Sequence, residues 1–201
     1  EAKRTKSPRI NVEDSMTAFI RAVGFDTNGK TIRRFKNQLR RLGASNISMT
    51  FNKDNRQKIK KGSIIDELDL WFPKDANQRI LWDSEIVLND KYFNSLVNHA
   101  VPIDQRALRS LARSPLAIDI YSWLAQRLYR VNGQQFLTWQ AMREQFGGNS
   151  SMDNFKRAFR NALTNVLMVY PQAKIIEDKN KGFILYESPP PISPNTHFIT
   201  K

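Results

Sequence analysis

Arginine, lysine and asparagine residues recur at helical spacing in the segment TIRRFKNQLRRL, Thr31 to Leu42. At about 100° per residue its large apolar side chains share one sector of a helix, and these are Ile32, Phe35, Leu39 and Leu42. The cationic and amide side chains lie away from that sector: Lys30, Arg33, Arg34, Asn37, Arg40 and Arg41. A guanidinium group donates paired hydrogen bonds to a guanine edge or a phosphate, and a carboxamide pairs with adenine. This face therefore has the chemistry to contact nucleic acid.

The same division of side chains occurs in DNFKRAFRNALTNVLMVY, Asp153 to Tyr170. Its apolar face consists of Phe155, Phe159, Ala162 and Val166. Its outward face carries Lys156, Arg157, Arg160, Asn161 and Thr164. A second basic amphipathic helix in the same chain predicts a second surface for nucleic acid.

A short helix and a polar turn precede each basic helix. In the first half these are residues 13–23 and the turn GFDTNG, and in the second half they are WQAMREQFG, capped by Thr138, and the turn Gly147-Gly148-Asn149. Such a pair of helices, joined by a glycine-containing turn, is typical of a helix-turn-helix.

Two β-rich segments separated by a lysine-rich tip follow each basic helix. In the first half NISMTF and SIIDELDLWF flank a tip that holds Lys58, Lys60 and Lys61. In the second half AKIIED and GFILYE flank a tip that holds Lys179 and Lys181. A helix-turn-helix followed by such a hairpin, or wing, is typical of a winged helix, whose second helix enters the major groove of DNA. Lysines of the wing would contact flanking phosphates.

The fold class that follows is α+β and helix-rich, with two winged helix-turn-helix domains in tandem. We expect a basic N-terminal arm at 1–12, a first winged-helix domain at 13–88, a second at 89–188 and a Pro-rich tail at 189–201. Asn89 is a good N-cap for the helix that opens the second domain, and Ser114-Pro115 should start its central buried helix. A full winged helix needs one more helix before the pair in the first half, so we expect the first domain to be partial.

The charge of the chain favours a polyanionic partner. Of 201 residues, 32 are Lys or Arg and 19 are Asp or Glu, which gives a formal net charge of +13. Each phosphate that a cation neutralises releases counterions, so such an excess supports binding to double-stranded DNA. The alternative is a basic but inert surface, and the placement of the charge on helix faces and hairpins argues against it. A hydrophobic content of 40% is sufficient for packed cores.

Several other classes of protein are excluded or disfavoured. The chain has no cysteine, which removes disulfides, thiolate catalysis and the common zinc-finger ligand sets. No window is long and apolar enough for a membrane helix, and a cytoplasmic location fits. His99 and His197 are far apart in the sequence and do not resemble the paired histidines of a nickase. In the acidic cluster Asp66, Glu67 and Asp69, the first two would point to opposite faces of a strand, which argues against a metal site. We expect no enzyme activity, cofactor or metal.

Several long strings resemble the RepA-type plasmid replication initiator family: VLNDKYFNSLVNHAVPIDQRALRSL, SPLAIDIYSWLAQRL, WQAMREQFGG and DNFKRAFRNAL, together with FIRAVGFDTNGKTIRRFKNQLRRL in the first half. The resemblance covers Met16 to Pro190. It implies a tandem winged-helix protein of the bacterial cytoplasm that binds plasmid origin DNA, often at direct repeats called iterons. It also implies origin opening, recruitment of host replication proteins and a possible homodimer, without covalent chemistry.

Two other hypotheses remain open on the sequence. A winged-helix transcriptional repressor, or another sequence-specific DNA-binding protein, would carry the same basic helices and wings. A protein-interaction scaffold could use the apolar segment IIDELDLWF for self-association, although its residues Ile64, Leu68 and Trp71 are more simply explained as core. A replication assay on the plasmid separates the initiator from the repressor.

Overall fold

The structure, a computed structural model, describes residues 6–12, 20–21, 24–53, 56–69, 84–99, 101, 103–178 and 181–192. The chain forms two compact units, Glu1–Ala100 and Val101–Lys201. Helices and small antiparallel sheets are present in both, so the fold mixes α and β elements and is rich in helix, as the sequence predicted. In the part of the chain that the structure describes, no helix combines the length and the apolar character that crossing a bilayer requires.

The described part of the first unit contains two separate sheets, two long helices and a helical segment at residues 20–21. Its elements are β1 (Arg9–Val12), α1 (Gly29–Gly43), β2 (Asn46–Lys53), β3 (Arg56–Ser63), β4 (Ile65–Asp69), β5 (Ser84–Leu88) and α2 (Asp90–His99). One sheet has the strand order β1-β5-β4, and the other is the β2-β3 pair. Most of the predicted short helix at residues 13–23 lies outside the described residues; Ile20 and Arg21 are helical.

The β2-β3 pair corrects the predicted first wing. We expected NISMTF to pair with SIIDELDLWF, but β2 pairs with β3, from Asn46↔Ser63 to Lys53↔Arg56, and β4 pairs with β5. Lys58, Lys60 and Lys61 therefore belong to a strand and not to a tip. This pairing leaves two residues, 54 and 55, between the strands. Hydropathy does not reveal this strand because Ile59 is its one large apolar residue.

The N-terminal arm also needs correction. Residues 9–12 form β1, which pairs antiparallel with β5 along its whole length. Arg9 Nη1 donates to Glu85 Oε2 at 2.6 Å across this pair, and Ile10 packs against the core of the unit. The arm is therefore an edge strand from Arg9 onward, because the alternation of polar and apolar residues in RINV suits a strand with one buried face.

The core of the first unit consists of Leu39, Ile65, Ile86 and Leu88, with Phe93 and Leu96 of α2 packed against it. We expected the helix at residues 90–99 to open the second domain. Phe93 and Leu96 of this helix instead cover the first core, and the compact units divide after Ala100. Ile64 and Leu68 also pack on this core, which supports their interpretation as core residues; Trp71 lies outside the described residues.

The second unit begins with one short helix. The elements that follow it have the order helix, strand, helix, helix, strand, strand. Its elements are α3 (Gln105–Leu111), α4 (Pro115–Arg127), a 3-10 turn (Leu128–Arg130), β6 (Gln134–Thr138), α5 (Trp139–Phe146), α6 (Met152–Val169), β7 (Ile175–Asp178) and β8 (Gly182–Tyr186). The three strands form one antiparallel sheet in the order β6-β8-β7.

Helix α4 is the buried centre of the second unit, as predicted. Three of its large side chains are inaccessible to solvent, as is that of Leu128 just beyond its end: Ile120, Tyr121 and Leu124. They pack in a core that also includes residues of α5, α6 and β8. Burial of this much apolar surface is the main source of the unit's stability.

Side-chain caps fix where the helices begin. The Asn89 side chain accepts from Lys91 N at 3.1 Å, Ser114 Oγ from Ala117 N at 3.3 Å, and Thr138 Oγ1 from Ala141 N at 3.1 Å. Each satisfies a backbone N–H that the first helical turn leaves without a partner. All three predicted caps are confirmed.

The start of the Pro-rich tail is attached to the second unit. Tyr170 Oη donates to the Pro189 carbonyl at 2.6 Å, and Ser188 Oγ accepts from Lys174 N at 3.0 Å. Burial raises the pKa of the Tyr170 hydroxyl to about 12, so this donor stays protonated at neutral pH. Residues 193–201 of the tail lie outside the described residues.

Candidate nucleic-acid interface

Helix α6 presents its polar side chains in two rows with different surroundings. The helix begins at the Ser151 cap, whose Oγ accepts from Asn154 N at 3.4 Å. The side chains of its predicted apolar face are buried in the core, and these are Phe155, Phe159, Ala162 and Val166. Leu163, which the prediction did not include, is buried with them. The remaining circumference carries a solvent-facing row and a row that leans toward α5 and the sheet.

The solvent-facing row contains Arg157, Asn161 and Thr164, which the sequence predicted as site residues and which are exposed. Arg157 Nη2 donates to Asn154 Oδ1 at 2.9 Å, and Thr164 Oγ1 donates to the Arg160 carbonyl at 3.0 Å. Asn154, Ala158 and Asn165 are exposed on the same side. These three residues are not among the predicted site residues, although their spacing of three or four residues from Arg157 or Asn161 places them on one face.

Lys156 and Arg160 form the second row and lie over the indole ring of Trp139. Lys156 Nζ is 5.6 Å and Arg160 Cζ 5.1 Å from the centroid of the ring, within the range of cation–π attraction. Trp139 is 3% exposed and contacts Phe183 of β8 edge-on, with centroids 4.9 Å apart. Two predicted site residues are therefore half-buried against the protein itself.

Arg160 also forms an ion pair with Glu177 of β7. Its Nε donates to both carboxylate oxygens, at 3.2 and 3.0 Å, and its Nη2 donates to Oε1 at 2.6 Å. The hydrogen bond to Arg160 holds the pKa of Glu177 below its usual range, and the charge of Lys156 acts in the same direction. The same bond raises the pKa of Arg160. Helix and hairpin are therefore joined by a charged, two-pronged contact.

The β7-β8 hairpin is held close to β6 at Gly182. A Cβ atom at this position would lie 1.9 Å from the Leu137 carbonyl oxygen, so only glycine fits there without a shift of the backbone. Lys181 is exposed next to it, with its N–H donating to the Asp178 carbonyl at 2.7 Å. Lys179 lies outside the described residues.

In the first unit, helix α1 presents the predicted basic face to solvent. The residues Lys30, Arg33, Arg34, Asn37, Arg40 and Arg41 are all exposed. A shallow surface groove on this helix is lined by three arginines and two amide residues: Arg34, Asn37, Gln38, Arg40 and Arg41. Leu39 is buried as expected, whereas Leu42, assigned to the apolar face, is 39% exposed because α1 ends one residue later.

Strand β3 carries the remaining predicted lysines of the first unit. Lys58, Lys60 and Lys61 occur within five residues of one another in this strand, and Lys61 is exposed. Ile59 between them is also 53% exposed. The β2-β3 ribbon is thus a basic two-stranded element that follows α1 directly.

His99 and Asp66, which were considered as possible enzymatic residues, form hydrogen bonds within the first unit. His99 is exposed in the last turn of α2, with Nδ1 3.1 Å from the Ser95 carbonyl. Asp66 accepts from Ser63 Oγ at 2.9 Å and from Asn89 Nδ2 at 3.1 Å, which ties the end of β3 to the start of α2. Among the described residues no group of three or more acidic or histidine side chains could hold a metal ion.

Two crystal structures of domains 2 and 3 of RctB share this fold. One superposes with a TM-score of 0.55 at 12% identity, over 89% of this chain and 74% of that chain. The other, of a selenomethionine derivative, gives 0.58 at 11% identity, over 92% and 76%. At these identities the likeness is one of fold. No curated protein sequence matches the chain significantly.

The family comparison is more specific. Residues 1–141 match the family model described as plasmid encoded RepA protein. The match spans all of the first unit and continues into the second as far as α5. The chain therefore belongs to the RepA-type plasmid replication initiator family.

Proposed function

We propose that this replication initiator binds origin DNA through two winged-helix domains, one in each unit. In the second unit the order α4-β6-α5-α6-β7-β8, with the sheet order β6-β8-β7, is the arrangement expected of a winged helix. Helix α6 is then the recognition helix and the β7-β8 hairpin is the wing. In the first unit α1 is the recognition helix and the β2-β3 ribbon takes the place of the wing.

The exposed row on α6 is the observation that carries this proposal. Arg157, Asn161 and Thr164 recur along one solvent-facing line of the helix, and these are side chains that hydrogen-bond guanine, adenine and either base type. Lys181 of the wing, and the cations of α1 and β3, add contacts with phosphate that set register and affinity.

Initiation follows from binding in this proposal. Two recognition helices on one chain suit an origin with repeated sites, such as iterons. Binding of several copies would strain the origin duplex and bring host replication proteins to it. The chain itself supplies no covalent chemistry in this mechanism and needs no cofactor.

The experiment is footprinting on the replicon's own origin, with a scrambled duplex of equal length as competitor. We expect protected segments that recur along the origin and that survive excess competitor. An equal affinity for origin and scrambled DNA would contradict sequence-specific binding. A protein that protects the origin, but whose loss leaves plasmid replication unchanged, would instead be a repressor.

A further inference from the structure

Arg157 and Arg160 are both on the polar side of α6, but they are held in different ways. Arg157 is exposed, and its hydrogen bond is with Asn154 on its own helix. Arg160 contacts two other elements, Glu177 of β7 and Trp139 of α5, and 41% of its side chain is exposed. To contact a base with its Nε and Nη2 edge, Arg160 would have to give up three hydrogen bonds to Glu177.

Trp139 provides a platform between the recognition helix and the wing. Its ring contacts the rings of Phe155 and Phe159 of α6 edge-on, with centroids 6.0 and 5.8 Å apart. Its backbone N–H donates to the Lys181 carbonyl at 3.2 Å. Its indole Nε1 is buried without a hydrogen-bond partner among the described residues. The residue is therefore held by the face and edges of its ring, and the cations of α6 cover that face.

Glu177 is an acidic residue beside the helix that is proposed to bind DNA. A lone carboxylate there would repel phosphate, but the ion pair with Arg160 neutralises it. Along β7 the side chains alternate, so Glu177 faces α6 while Asp178 faces the other way. The acidic group is thus on the side where it can join the wing to the helix.

From this geometry we propose that Arg160 and Glu177 are positioning residues, which hold the wing against α6 over the Trp139 ring so that Arg157 and Lys181 engage DNA together. The inference rests on the proposed DNA-binding role. In this arrangement Arg160 does not contact base edges, although its place on the outward face of the helix had suggested that role.

The test compares Glu177→Gln, Arg160→Gln and the double variant with two matched controls. Asp178→Asn removes one negative charge from the same strand on the opposite face, and Arg157→Gln removes one cation from the solvent-facing row. The probe is a duplex that the wild-type chain selects from a random-sequence library, with a scrambled duplex for comparison. Affinity is measured for both, and amide hydrogen exchange of β8 is measured without DNA.

We expect Glu177→Gln and Arg160→Gln to weaken binding to the selected duplex by similar factors, about threefold to tenfold. The double variant should be no weaker than the weaker single variant, because both changes break one contact. Exchange in β8 should become faster in both. Asp178→Asn should not weaken binding or change the exchange, and Arg157→Gln should reduce the preference for the selected duplex without changing the exchange.

An increase in affinity for the selected duplex in Glu177→Gln would overturn the proposal. If Glu177→Gln tightens binding while Arg160→Gln weakens it, then Arg160 contacts DNA directly and Glu177 only opposes it. Unchanged exchange in Glu177→Gln would likewise show that the pair does not hold the wing. If the wild-type chain selects no duplex, the proposed function fails, and the exchange measurement still reports separately whether the pair fixes the hairpin.

Discussion

Arg157 and Arg160 show how the surroundings of a side chain decide its role when residue type and helix face do not. Both are arginines on the polar side of α6, one turn apart. The difference between them arises from Glu177, which is 17 residues further along the chain. Helical periodicity places both arginines correctly, but it contains no information on which of them a neighbouring strand will pair. That depends on the register and alternation of β7, which is set by its pairing with β8.

Replacement of Arg157 should reduce discrimination between DNA sequences. We expect Arg157→Ala to cost about 1 to 3 kcal/mol of binding free energy on the cognate site and less on other DNA, because the variant cannot form a bidentate contact with a base. Lys181→Ala in the wing should weaken all duplexes alike, since it removes a contact with phosphate. Equilibrium binding to cognate and scrambled duplexes measures both. A constant ratio of the two affinities in Arg157→Ala would mean that this side chain does not contact bases.

At the scale of elements, the sequence predicted helices and their starts better than the pairing of strands. Asn89, Ser114 and Thr138 were identified as caps because a cap needs only the right residue next to the right helix, which is local information. The β2-β3 ribbon is not evident from the sequence because β3 is almost entirely polar, even though its pairing with β2 is local. Strand β1 is hidden for a different reason, because its partner β5 is distant in the sequence.

The contribution of the ion pair between α6 and β7 should depend on pH. Because the folded protein lowers the pKa of Glu177, the pair stabilises the fold fully above the ordinary pKa of a glutamate, about 4.3. That contribution is lost as the pH falls through the lowered value. We expect Glu177→Gln to be less stable than the wild type at neutral pH by about 0.2 to 1 kcal/mol, since the pair is partly exposed.

The difference in free energy of unfolding between the two proteins should then shrink toward zero in acid, where Glu177 is protonated and resembles glutamine. Chemical denaturation over a pH series measures it. Other carboxylates with lowered pKa values, such as Asp104, are present in both proteins and cancel in the comparison. A difference that stays constant as the pH falls would show that charge is not the source of the stabilisation.

The base of the wing should not tolerate a side chain at Gly182. In Gly182→Ala the added Cβ would meet backbone atoms of Leu137 and Thr138 within 3 Å, so β6 and β8 would have to separate. We expect the free energy of unfolding of the second unit to fall by about 1 to 3 kcal/mol, as measured by thermal denaturation. The matched control is Gly29→Ala, where nothing lies within 4 Å of the new Cβ. Equal stability of the two variants would contradict the close approach.

At the scale of the whole molecule, the question is whether both units engage DNA. Disabling the basic face of α1 with Arg33→Ala and Arg40→Ala should shorten the footprint and reduce affinity by a factor of about 100, because the second docking event of a tethered pair is intramolecular. The slope of log affinity against log salt should become less steep by about 0.9 for each phosphate that the variant no longer neutralises. Footprinting and a salt series measure both effects.

The fold of this double variant should be intact, since both arginines are exposed, and circular dichroism provides that control. If footprint, affinity and salt slope all remain as in the wild type, then the first unit does not bind DNA and serves self-association or another partner. The second unit would be the single DNA-binding domain.

The two rows on α6 differ in how freely they can change during evolution. Substitutions at Arg157, Asn161 or Asn165 alter side chains that face water, so they should have little cost to stability. Under the proposed function, such substitutions would change the preferred DNA sequence. Substitutions at Lys156 or Arg160 disturb the contact with Trp139 and are constrained by the scaffold. A lineage of such initiators could therefore move to a new origin sequence through single steps in the exposed row, each of which leaves a folded protein.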